Sequence, residues 1–451
     1  MKHDIHFTSK KSIKNYVSGS NVLIVATLLA LIVANTPLRD IYFSFWDQPV
    51  VLQVGQFSLN HGGSPMTLLD FINDALMAIF FFTIGLEIKR EFLVGELSTP
   101  RKSLLPIGAA IGGMVFPVLI FMAIGQGSDY LQGAAIPMAT DIAFLLGVLA
   151  LLGDRVPLSL KIFLTALAVV DDIGGILVIA IFYTEHLQLW YLAIGFVVLL
   201  LTWGGGKLRI QSKLFYFIMG GVVWYCFFHS GIHPTIAGVL VAFCIPARPV
   251  LAAETYISAI RDDISRFPSG KPSDGKAYIL NKAQLDRLKR IESASDKVIS
   301  PLQDMEDTLH PVVNYLIIPL FAFANAGIYV GTFSMEAFTH GVGLAVLVGL
   351  LVGKFTGIFL FSWLLVKTKL SQLPAHTSWG MLAGASVLGG IGFTVALFIA
   401  NLSFGDGTPA MQQHLEEAKL GIVSASILAG VIGCVILHMV SPRQPARRAA
   451  D

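Results

Sequence analysis

The chain has 451 residues, 55% hydrophobic and only 13% charged, about half the charged share of an ordinary soluble domain. That balance excludes water as the main solvent. A net charge of +2, with no basic face interleaved with aromatics, excludes nucleic acid as a partner. The apolar residues come in runs of about 20, the length of a helix crossing a hydrocarbon core. They do not alternate as the strands of a membrane β-barrel do. The expected fold class is therefore an all-α polytopic membrane protein in a lipid bilayer. Cys226, Cys244 and Cys434 all fall in apolar segments and read as packing residues.

In chain order, residues 1–19 form a polar, basic N-terminus. The apolar run after it, Val22 to Ala34, lacks a small-x-small cleavage pattern, so it reads as an uncleaved first helix and not as a signal peptide. Twelve apolar runs are found: 20–36, 68–86, 104–125, 131–152, 158–183, 189–204, 213–229, 231–246, 309–330, 341–366, 379–402 and 414–438. Between the first two, a loop near 43–62 contains VVLQVGQFSLN (50–60), which alternates as a small β-hairpin does. Residues 247–308 are the one long polar stretch, a turn cluster (FPSGKPSDGK) followed by a charged, helix-prone run, and read as a solvated excursion. The last four runs occupy 309–440, and 441–451 form a tail.

The connections sort by charge. Those with odd numbers hold a single Lys or Arg, Arg39, whereas every even-numbered one is basic, with Lys89, Arg90, Arg101 and Lys102, then Arg155, Lys207 and Arg209, and later Lys367 and Lys369. With Lys10, Lys11 and Lys14 at one end and Arg443, Arg447 and Arg448 at the other, the positive-inside rule puts both termini in the cytoplasm.

A charged side chain near the bilayer centre costs about 2.5 to 3.5 kcal/mol even on lenient scales, so each needs a partner, a cavity or a task. Asp141, Asp171, Asp172 and Lys354 all lie inside apolar runs, with Asp74, Glu87 and Glu91 at run edges. Neighbours on a helix point about 100° apart. One of Asp171 and Asp172 can thus face a cavity while the other meets a neighbouring helix, one holding an ion or proton and the other pairing with Lys354. Close buried carboxylates also resist simultaneous ionisation, which suits proton carriage. A hard cation such as sodium takes oxygen ligands, and Thr140, beside Asp141, offers one more. The backbone gives independent support: Pro137 interrupts the fourth run just before Asp141, and Gly389, Gly390 and Gly392 cluster in the eleventh. Paired interruptions in the two halves point to a transporter site built from broken helices.

On these residues the chain resembles the NhaA family of bacterial Na+/H+ antiporters. The resemblance rests on INDALMAIFFFTIGLEIKRE (72–91), AIPMATDIAFLLGVLALLG (135–153), ALAVVDDIGGILVIAIFYT (166–184), SGIHPTIAGVLVAFCIP (230–246), LHPVVNYLIIPLFAFANAGI (309–328), VGKFTGIFLFSW (352–363) and GGIGFTVALFIA (389–400). It implies about twelve transmembrane helices in inverted-topology repeats, with two broken helices that cross. It implies electrogenic exchange of cytoplasmic Na+ or Li+ for external H+, with more protons moved than cations, regulation by pH and no cofactor. Asp172 matches the main cation-binding carboxylate, Asp171 the neighbour paired with Lys354, and Thr140 and Asp141 flank the crossing. Asp74, Glu87, His233, Glu306 and His310 match positions linked to pH response, and the hairpin matches a homodimer contact. The implied location is the bacterial inner membrane.

Three rivals remain in view. A sodium-coupled symporter of an organic solute needs a polar or aromatic lining for that solute, and none stands out. An intramembrane aspartyl protease resembles a YD and GxGD pair, and neither motif occurs. A channel conducts passively and has less use for adjacent carboxylates with a buried lysine.

Overall fold

A computed structural model describes residues 19–51, 53–54, 57–58, 60–61, 64–184, 187–249, 253–267, 282–329, 341–405 and 408–441. The basic residues of both termini and most of the FPSGKPSDGK cluster lie outside the described residues.

Each of the twelve apolar runs is helical. The bundle begins with α1 (Gly19–Ala34) and the short α2 (Arg39–Trp46), which turns away by 116°. Next come α3 (Leu68–Val94) and α4 (Pro100–Ile124), then an interrupted span made of a 3-10 stretch, Leu131–Met138, and α5 (Ile142–Leu152). The first half closes with α6 (Leu158–Phe182), α7 (Leu189–Lys207), α8 (Lys213–Ser230) and α9 (Thr235–Cys244). After a polar pair, α10 (Ala253–Ser265) and α11 (Lys282–Val298), the chain re-enters with α12 (Pro301–Asn325) and α13 (Val342–Lys367). It finishes with the bent pair α14 (Trp379–Leu388) and α15 (Phe393–Phe404), and with α16 (Pro409–Val440).

Eight of these spans, the interrupted Leu131–Leu152 among them, are long and apolar enough to cross a membrane, and the two bent pairs raise the number to ten. The other two runs are α8 and α9. The ten-residue α9 is short because Gly231, at φ +86°, and Pro234 end one helix and delay the next. Large apolar side chains such as Trp190 and Leu200 are exposed, as a lipid-facing surface requires.

Two local structures differ from the sequence reading. The loop between the first two runs contains two short antiparallel strand pairs, Gln53–Val54 with Phe57–Ser58 and Asn60–His61 with Ser64–Pro65, and its first residues are already helical in α2. The ninth span starts at Pro301 and not near 309: Ser300 caps it by accepting from Gln303 N at 3.3 Å, and Pro301 takes the first helical position, where a missing N–H costs nothing. This early start puts Glu306 on the same membrane helix as His310. In the excursion, α10 and α11 are joined by Arg287 to Asp263 at 3.1 Å and by Tyr256 to Ser295 at 3.0 Å.

Glycine sets the closest approaches. Gly349, Gly353 and Gly357 stand four residues apart on α13; a Cβ at Gly349 would meet Pro137 at 2.7 Å, one at Gly353 would meet Pro117 at 2.7 Å, and one at Gly357 would overlap the Gly112 carbonyl. Lacking a hydrophobic drive between helices in lipid, such packing depends on small residues. A π-helical turn, Gly349–Gly353, sits just before Lys354, and the extra residue in such a turn rotates the side chains beyond it, Lys354 first among them, about the helix axis. Gly357→Val is expected to cost about 1 to 3 kcal/mol, read as a lower unfolding midpoint in detergent. Gly204→Ala, where an added methyl meets nothing within 4 Å, should leave the midpoint unchanged or raise it.

Candidate functional site

The site lies where the two interrupted spans pass each other. Residues 139–141 and 389–392 are unwound, and there Asp141 N donates to Ile391 O at 2.7 Å. Unwound backbone in a membrane needs partners from protein, and the two segments supply them to each other. The Thr140 hydroxyl lies 3.0 Å from Gly389 O and 2.6 Å from Asp171 Oδ2, so its one proton serves either acceptor.

Asp141 (1% exposed) is the N-cap of α5. Its Oδ1 accepts from Phe144 N at 2.9 Å, and its Oδ2 accepts from Thr394 N at 3.0 Å and Thr394 Oγ1 at 2.6 Å. Thr394 lies in the first turn of α15. One carboxylate therefore faces the N-terminal ends of two half-helices, where the partial charge is positive.

Asp171 and Asp172 both lie on α6, 2% and 5% exposed, and Lys354 on α13 is fully buried. Lys354 Nζ donates to Asp171 Oδ2, the oxygen that also faces Thr140, while Asp171 Oδ1 is buried with no hydrogen bond from protein. No described residue hydrogen-bonds or pairs with the Asp172 carboxylate. The oxygens free to hold a cation or proton are those of Asp172 and Asp171 Oδ1. Among the described residues, no three His, Cys, Asp or Glu side chains converge as a resident metal cluster, and the Asp141 carboxylate is spent on helix ends.

The remaining candidates divide by location. Asp74, in a π-helical turn of α3, has Oδ1 3.4 Å from His233 Nε2, and His233 Nδ1 is 2.7 Å from Thr235 Oγ1. Both line a cavity of about 1090 Å³ that reaches inward to Met138 and Phe398 but not to Asp141, Asp171 or Asp172. Glu87 lies 13 residues further along α3, about 20 Å away, in a cluster at the other end. There Arg90 pairs with Glu306 from α12 and with Glu91 at 3.3 Å, and lies 3.9 Å from Glu87. His310 lies 3.0 Å from Asn314 Nδ2 and one helical turn from Glu306.

The sequence reading missed Thr394. Its signal is a hydroxyl residue two positions after the last glycine of the eleventh span, in the first turn of the restarting helix.

The description "Na+/H+ antiporter 1" matches residues 10–437. A Na(+)/H(+) antiporter NhaA of Phocaeicola vulgatus is 52% identical over 451 residues, covering 98% of each chain. One of Bacteroides fragilis is 51% identical over 97% of this chain and all of its own, and one of Porphyromonas gingivalis is 48% identical over 93% of each. The chain belongs to this antiporter family.

Lys354→Ala should cost about 3 to 5 kcal/mol, because it leaves the Asp171 charge buried without a counter-charge. Adding Asp171→Asn should recover part of that loss. Thermal unfolding of the two variants checks this, and an unshifted midpoint for Lys354→Ala would show that the pair carries no stability.

Proposed function

We propose that the chain is a secondary active antiporter, not an enzyme, that exchanges sodium for protons at Asp172. The observation that carries this is the contrast within one helix: Asp171 is held by Lys354 and faces Thr140, whereas its buried neighbour Asp172 has no protein partner among the described residues. A carboxylate so placed is costly unless something neutralises it. A proton or a hard monovalent cation does so, and the two compete for the same oxygens. If the carboxylate meets one side of the membrane and then the other, loading by one ion requires release of the other.

The cargo is Na+ or Li+ against H+, with no resident cofactor. Asp171 Oδ1 stands ready as a second oxygen for the cation. Lys354 fixes a positive charge beside the pair, and Thr140 and Asp141 hold the crossing in register. Cytoplasmic Na+ leaves as external H+ enters; more protons move than cations, so transport is electrogenic. Regulation by pH falls to the Asp74–His233 pair and to the Glu87, Glu306 and His310 region. The basic connections support a bacterial inner-membrane protein with both termini in the cytoplasm, and in this reading the outer hairpins mediate a homodimer. Sodium-coupled uptake of a solute is not favoured, since the relatives named above are antiporters.

In everted vesicles, adding sodium should collapse an acid-interior pH gradient, and Asp172→Asn should reduce that response to the background of empty vesicles. Full exchange by the variant would remove Asp172 from the site.

A further inference from the structure

The outer ends of three elements meet at one side chain. Tyr183 directly follows α6, the helix of Asp171 and Asp172. Its hydroxyl donates to Gln132 O at 2.8 Å, in the 3-10 half of the first broken span, and lies 2.8 Å from Ser403 Oγ, in the last turn of α15. With the phenol proton on the Gln132 carbonyl, the phenol oxygen can accept from Ser403, whose one proton is shared with Ile399 O, 2.8 Å away and one turn back in α15. Tyr183, Gln132 and Ser403 all line the 1090 Å³ cavity, whose floor at Met138 and Phe398 stops short of the carboxylates. One hydroxyl thus fastens both outer half-helices to the helix of the carboxylate pair, at the rim of the closed outer path.

We propose that Tyr183 is a positioning residue for exchange: its ties to Gln132 and Ser403 stabilise the outward-closed state, and outward opening requires their release. The inference rests on the antiport reading. The half-helix α15 is also held elsewhere, since Asn401 Nδ2 donates to Asn325 Oδ1 at 2.8 Å and Asn325 Nδ2 to Asn73 Oδ1 at 3.0 Å. Loss of the Tyr183 hydroxyl therefore loosens one fastening without unseating the helix. The hydrogen bonds at stake, one full and one shared with Ile399 O, correspond to about a tenfold shift between states. A state that becomes more populated binds its ligand with higher apparent affinity in the same proportion.

The test uses the full chain in proteoliposomes, with sodium presented at either face. For Tyr183→Phe, the KM at the outer face should fall several-fold and the inner-face KM should rise, with a thermal midpoint within a few degrees of the wild type. Ser403→Ala should shift the same way by less, and adding it to Tyr183→Phe should do nothing more. Unchanged constants, equal shifts at both faces or additive effects would overturn the tie. A wild-type protein that exchanges no sodium for protons would instead overturn the antiport reading on which the tie rests.

Discussion

Charge buried in a low-dielectric interior has to be balanced on the spot, because neither water nor salt reaches it. Three carboxylates within the bundle meet that demand in three ways. Asp171 is balanced by a full positive charge from Lys354. Asp141 is balanced by the amides at two half-helix N-termini and by the Thr394 hydroxyl. Asp172 has no fixed partner among the described residues, and that deficit is the ground on which we propose it as the carrier. The first two carboxylates are matched by fixed protein groups and the third is not, and on the proposed reading structural and transporting roles separate within one small region.

That arrangement depends on backbone approach. The Lys354 helix reaches α4 and the first broken span only because Gly349, Gly353 and Gly357 present no side chains there. The crossing of residues 139–141 and 389–392 is held the same way: a Cβ at Gly390 would overlap the Leu350 carbonyl, and one at Gly392 would meet Ala139 O at 3.0 Å. Small residues and unwound backbone are costly in an isolated helix. Here they let two interrupted spans pass each other with their polar groups satisfied.

The two ends of α3 carry different equipment. One end holds Asp74 with His233 beside a cavity, and the other holds Glu87, Arg90 and Glu91 against Glu306. A rigid helix about 27 residues long thus joins two titratable groups through a shared element. The polar ties around Tyr183 and Asn401 add a rim to the cavity end, built from side chains that sequence alone gives no reason to group.

Much of this protein is legible in one dimension. The apolar runs appear because lipid demands about 20 apolar residues per crossing. Asp141, Asp171, Asp172 and Lys354 stand out because charge in such runs is rare and expensive. Pro137 and the glycines at 389–392 mark both interruptions. Two further local signals are weaker along the chain: Ser300–Pro301 starts a helix eight residues before the apolar run, and Thr394 comes just after the glycine break. What the tertiary structure decided is the pairing. Thr394 meets Asp141 across 253 residues, Lys354 meets Asp171 across 183, and Tyr183 meets Ser403 across 220. Burial cost depends on a residue's own type and its immediate neighbours, so it is written along the chain. Which buried groups satisfy one another depends on helix crossings and close approaches, and these exist only once the bundle has packed.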